Sequence, residues 1–108
     1  MGLLDRVKRR RSGDAGTIRT GTSADMRHLE DFIRTREGVE AFVEPRTTVT
    51  DTTILLVARD GEWTRRRVDG PDGAADFARK QAIPLYDAVS VGYPQRMREY
   101  NARKKSSG

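Results

Sequence analysis

Cysteine is absent from this chain of 108 residues, and histidine occurs once, at His28. Without cysteine there are no disulfides, no thiol nucleophile and no thiolate metal site. With a single histidine the usual zinc ligand sets are excluded too, so no metal and no cofactor is assigned. No Gly-x-Gly-x-x-Gly stretch is present to cradle a dinucleotide. Long apolar runs are missing as well. The longest, Ile54-Leu55-Leu56-Val57-Ala58, is far too short to cross a bilayer. No apolar stretch follows the charges at the N-terminus, so a secretory signal is not expected and a cytoplasmic location is. Lysine is scarce: of 21 basic residues only Lys8, Lys80, Lys104 and Lys105 are lysine.

Charge is plentiful, at 34% of residues against 35% hydrophobic, which implies one domain with a lean core. Its distribution is uneven. Residues 1–20 hold Arg6, Lys8, Arg9, Arg10, Arg11 and Arg19 against Asp5 and Asp14, a net of +4. The last eight residues add Arg103, Lys104 and Lys105, a net of +3, which leaves residues 21–100 at −2 out of +5 overall. The expected organisation is therefore a basic flexible arm over 1–22, a single α+β domain over 23–101 and a basic C-terminal tail over 102–108. Electrostatically, such ends fit an acidic partner such as RNA, the ribosome, a membrane surface or an acidic protein.

Hydrophobic periodicity predicts the elements. Met26, Leu29, Phe32 and Ile33 fall on one face of a helix from about Ala24 to Glu37, with Ser23 or Asp25 as its cap and Gly38 at its left-handed stop. Val39, Ala41 and Val43 alternate with Glu40, Phe42 and Glu44, a strand with one buried face. Residues 53–58 are apolar on both faces and read as a central strand. Asp60-Gly61 marks a hairpin turn, and residues 62–68 return as a polar edge strand. Pro71 and neighbouring acids open a second helix whose inner face is Ala74, Phe77, Ala78 and Ala82. Residues 85–91 form a fourth strand, and Gly92-Tyr93-Pro94 turns into a third helix over about 94–104. The fold class is α+β: a mixed four-stranded sheet, order α-β-β-β-α-β-α, with helices packed on the sheet. The third and fourth strands are expected to run parallel, joined by a right-handed crossover.

Three constellations are candidate sites. On the edge strand, Trp63, Arg65 and Arg67 alternate onto one face, a stacking ring beside guanidinium forks, whereas Glu62, Thr64, Arg66 and Val68 share the other. The arms Arg6, Lys8, Arg9, Arg10 and Arg11, with Arg103, Lys104 and Lys105, form the electrostatic contact. At the end of the fourth strand, Tyr93 and Arg96 lie where ligands collect in sheets with parallel strands. Asp87, two before an expected buried Val89, is expected to point inward toward an arginine. His28 lies off the apolar stripe, at a surface or boundary position. No residue is assigned a catalytic role.

The α-β-β-β-α opening resembles the double-stranded RNA-binding domain, but Asp69, Asp72 and Asp76 stand where that family docks phosphate. The longer order resembles restriction-endonuclease-like nucleases, with Asp51 and Glu62 in place of the acids and Thr64 where their lysine belongs. Residues 28–101 resemble a group of small uncharacterised actinobacterial proteins through His28-Leu29-Glu30-Asp31-Phe32, Glu37-Gly38-Val39-Glu40-Ala41, the run Asp60 to Arg67 and the run Val91 to Arg98. That resemblance implies a bacterial cytoplasmic protein, and some members carry an oxidoreductase label. The expected function is a non-catalytic binding or adaptor protein that engages an acidic partner. The alternative is a small enzyme or ligand-binding protein with a pocket at the end of the fourth strand.

Overall fold

The structure is a computed structural model that describes residues 21–107, so the arm residues Arg6, Lys8, Arg9, Arg10 and Arg11 lie outside the described residues. Helix α1 spans Ser23–Thr35. Its cap is Thr22, one residue ahead of the expected start: Thr22 Oγ1 accepts from the Asp25 backbone N–H at 3.0 Å, and Asp25 Oδ2 accepts from the Thr22 N–H at 3.1 Å. This reciprocal pair satisfies two N–H groups that an uncapped helix leaves orphaned. Strands β1 (Glu40–Glu44), β2 (Thr53–Val57) and β3 (Trp63–Arg67) form the expected antiparallel meander. Helix α2 (Gly70–Gln81) then carries the chain to β4 (Leu85–Asp87). A short helix α3 (Ala88–Val91) and the terminal helix α4 (Gln95–Ser107) follow.

The sheet order is β3-β2-β1-β4, with β4 parallel to β1. β3 and β4 thus point the same way, as the crossover requires, but at opposite edges, because α2 spans the two central strands. Core residues occupy both faces. On one, Ala41, Ile54, Leu56 and Val68 pack with Leu29 and Phe32 of α1 and with Ala74 and Phe77 of α2. On the other, Phe42, Leu55 and Val57 pack with Ala88, Met97 and the half-buried Trp63. The expectation that β1 buries a single face is corrected by Phe42, only 4% exposed beneath the terminal helices.

Three further expectations are corrected. The fourth strand stops at Asp87, because its side chain caps α3 by accepting from the Val89 N–H at 2.9 Å, and residues 88–91 turn helical. Ala82 is not on the inner face of α2 but is its exposed left-handed C-cap, at φ 57°. The basic residues expected in a tail beyond residue 101 are the last turns of α4.

Candidate functional site

The sheet face opposite α1 and α2 is only half covered. Gly92, at φ 75°, and Pro94 redirect the chain out of α3, so that α4 lies across the β2–β3 hairpin end of the sheet. Arg96 anchors it: Nε donates to the Ala58 carbonyl at 2.9 Å and Nη2 to Glu40 Oε1 at 2.7 Å. Trp63 Nε1 donates to Asn101 Oδ1 at 2.8 Å, and Arg103 donates to the Asp60 carbonyl at 2.8 Å. Met97 is the buried apolar contact of this helix. Polar bonds rather than apolar area therefore fix where α4 sits.

Beside it the face stays open, and Glu44 is its hub. The carboxylate takes a two-pronged grip from Arg65, Nε to Oε1 at 2.7 Å and Nη2 to Oε2 at 2.9 Å, and accepts from Thr53 Oγ1 at 2.6 Å and Tyr93 Oη at 2.5 Å. Burial by itself raises the Glu44 pKa, but the Arg65, Thr53 and Tyr93 hydrogen bonds outweigh it, and the net shift is below the ordinary 4.5. The same bond to Glu44, with burial, pushes the Tyr93 phenol above its ordinary 10.0. A carboxyl poised as general acid needs the opposite shift, and so does a tyrosine poised as base. These groups hold one another in their resting protonation states.

The predicted residues divide. Trp63, Arg65 and Arg67 do share this face, as their alternation requires. Trp63 lies against α4, however, and Arg65 is engaged by Glu44 with its guanidinium 5.3 Å over the Trp63 ring. Arg67 is exposed, and its nearest acid, Asp51, stands 3.9 Å away. Tyr93 and Arg96 both reach β1, but at its opposite ends, through bonds to Glu44 and Glu40. Asp87 does not join them: it is an exposed helix cap rather than a buried acid, and Val89 is 74% exposed. His28 sits at the α1–β3 boundary, sharing a 2.6 Å hydrogen bond between its Nε2 and Thr64 Oγ1.

Sequence pattern alone does not single out Glu40, Glu44 or Asn101. Glu40 and Glu44 flank Phe42 at spacing two, so they share its face. The missing signal is the strand pairing that sets Glu44 beside Thr53 and, across it, the arginines of β3.

A shallow depression of about 240 Å³ lies at the β4 edge, lined by Glu40, Phe42, Tyr86, Val91, Gly92, Tyr93 and Pro94. A larger open cleft, about 710 Å³, lies between the end of α1 and the β2–β3 turn, where Arg36 grips Glu62 and Arg59 pairs with Glu37. Among the described residues no cluster of His, Asp and Glu could hold a metal ion, and no helix is long and apolar enough to cross a membrane.

No family model, curated protein or solved structure matches this chain. The fold sorts its charges into paired and unpaired groups. Arg36, Arg59, Arg65, Arg66, Arg79, Lys80 and Arg96 all have acid partners. On α4, Arg98, Lys104 and Lys105 are exposed and have none among the described residues. Elsewhere among the described residues Arg27 and Glu30 on α1, Asp72 on α2 and Arg46 after β1 are also unpaired, and on α4 itself Glu99 meets only Gln95.

Proposed function

We propose that the protein is a non-catalytic binding module for RNA, held through its phosphates by the exposed cations of α4 and by the basic residues among 6–11. The observation that carries this reading is where unpaired cations gather: the arginines of β3 have carboxylate partners, whereas Arg98, Lys104 and Lys105, three of the five exposed cations without a partner among the described residues, stand on one helix. Part of that bias is intrinsic to helices, whose C-terminal carbonyls favour nearby cations. Arg98 stands in the first turn, however, where the helix dipole opposes a cation. An RNA backbone fits better than a membrane. The outer stripe of α4 (Gln95, Arg98, Glu99, Ala102, Lys105) offers no apolar side chain of size to insert between lipids.

The test is a triple variant of the full chain, Arg98→Glu, Lys104→Glu and Lys105→Glu, titrated into total RNA at two salt concentrations. The wild type should bind with a steep salt dependence. The variant should lose affinity, and its slope of log K against log salt should fall by about 2, roughly 0.7 per lost contact on a single strand. Unchanged slope and affinity would remove α4 from the interface, and stronger binding to anionic vesicles than to RNA would reassign the partner.

A further inference from the structure

We propose that the depression at the β4 edge is a stacking pocket for an unpaired nucleobase, so that the strand held by α4 is single. The inference rests on the RNA-binding reading and deepens it by naming which form of RNA is taken.

The first support is where apolar surface is left exposed. Of the large hydrophobic side chains exposed among the described residues, Val49 stands apart, and Tyr86, Val89, Val91 and Tyr93 all fall in residues 86–93. Tyr86, Val91 and Tyr93 line the depression, and Phe42 contributes to it from the sheet. Its volume, about 240 Å³, suits a planar ring rather than a protein element.

The second support is preorganisation. The Tyr93 hydroxyl donates to Glu44 at 2.5 Å and the Tyr86 hydroxyl to Glu40 at 3.3 Å, while the Tyr86 ring lies 5.4 Å from that of Phe42 at 36°. Both rings are tethered by their polar ends, yet each tyrosine as a whole residue stays 38% exposed. A ligand that stacks on them finds rotamers already ordered, which removes much of the entropy cost of binding.

Charge complementarity supplies the third. The carboxylates at the rim do not repel a polyanion as bare acids would, because Glu40 is paired with Arg96 and Glu44 with Arg65. Pro94, part of the lining, leads directly into α4, and the unpaired Arg98 follows one turn later to take the neighbouring phosphate. Aromatic faces beside a cationic track are how single strands are held without sequence preference, since every base presents a π-face. In a duplex the base faces are stacked on one another and cannot enter.

The experiment uses the full chain with a fluorescein-labelled oligouridylate and an RNA duplex of equal length. The single strand should bind at least about tenfold more tightly than the duplex. Tyr86→Leu and Tyr93→Leu should each weaken single-strand binding about tenfold while leaving duplex binding unchanged, and Tyr86→Phe, which keeps the ring but loses the tether to Glu40, should cost clearly less than Tyr86→Leu. Val91→Glu, at a position 58% exposed and so safe for folding, should give the same selective loss by filling the depression with charge. Equal affinity for the two forms, or equal losses for both in the variants, overturns the stacking pocket and leaves the RNA-binding reading standing. Self-association of the free chain that Val91→Glu abolishes, with the single-strand preference unchanged, assigns the patch to a second copy and also overturns the pocket. Salt-insensitive or absent binding to both forms overturns the RNA-binding reading itself, and the pocket with it.

Discussion

A methyl group on Gly61 would stand 2.0 Å from the Arg96 carbonyl oxygen and 2.8 Å from Tyr100 Cβ. No side chain fits there, and the φ of 95° is one that L-residues avoid. The residue does two jobs: it closes the hairpin and lets α4 lie against the turn. Gly61→Ala is expected to cost about 3 kcal/mol, from overpacking and backbone strain together. Urea denaturation measures the loss. Because Trp63 is the only tryptophan and packs against α4, its emission should also shift to the red as that helix lifts. The first job is legible in the dipeptide Asp60-Gly61, and the structure has the turn there, with Asp60 Oδ1 accepting from the Glu62 N–H at 2.9 Å. The second is not legible, because it depends on a helix far along the chain crossing at this point. Asp87 misleads for a related reason. Alternation of Val89 and Val91 reads as a strand until the aspartate turns back to cap its own following N–H.

Among the elements, the helices facing the main core and the meander strands follow directly from sequence periodicity. α1 buries Leu29 and Phe32, and β2 buries Ile54, Leu55, Leu56 and Val57 completely. α4 is different in kind. Its residues carry almost no apolar pattern, and what attaches it is Arg96 reaching the Ala58 carbonyl and Glu40, Trp63 reaching Asn101, and Met97. Sequence periodicity therefore identifies the helix but not where it docks. Arg96→Ala is expected to leave the Ala58 carbonyl without this donor and Glu40 without its cation, a loss of about 1–3 kcal/mol. Hydrogen exchange should locate that loss: amides of α4 should exchange faster, while those of β2, buried between two layers, should keep their protection. Uniform weakening across the sheet would mean that Arg96 supports the whole core rather than the placement of one helix.

At the scale of the molecule, stability and binding draw on different charges, and pH should separate them. His28 is shifted below its ordinary 6.5, first by burial and then by the positive charges of Arg66 and Arg36, which outweigh Asp25 and Asp31. A lowered histidine pKa means that the unfolded chain takes up protons more readily. Stability is therefore complete above 6.5 and falls as pH drops from there toward the folded value. Glu44, lowered from 4.5, adds a second loss as pH falls from that value through its own folded pKa, when the Arg65 grip is protonated away. Denaturant midpoints measured against pH should thus decline in two stages on acidification. His28→Gln, which keeps a partner for Thr64, should remove the upper stage and spare the lower. Arg98, Lys104 and Lys105 lie on α4, away from His28 and Glu44, so RNA affinity should hold through the upper stage while stability drops. A parallel decline of the two would place His28 within the binding surface, on the α1 side of the sheet, and not with α4 across it.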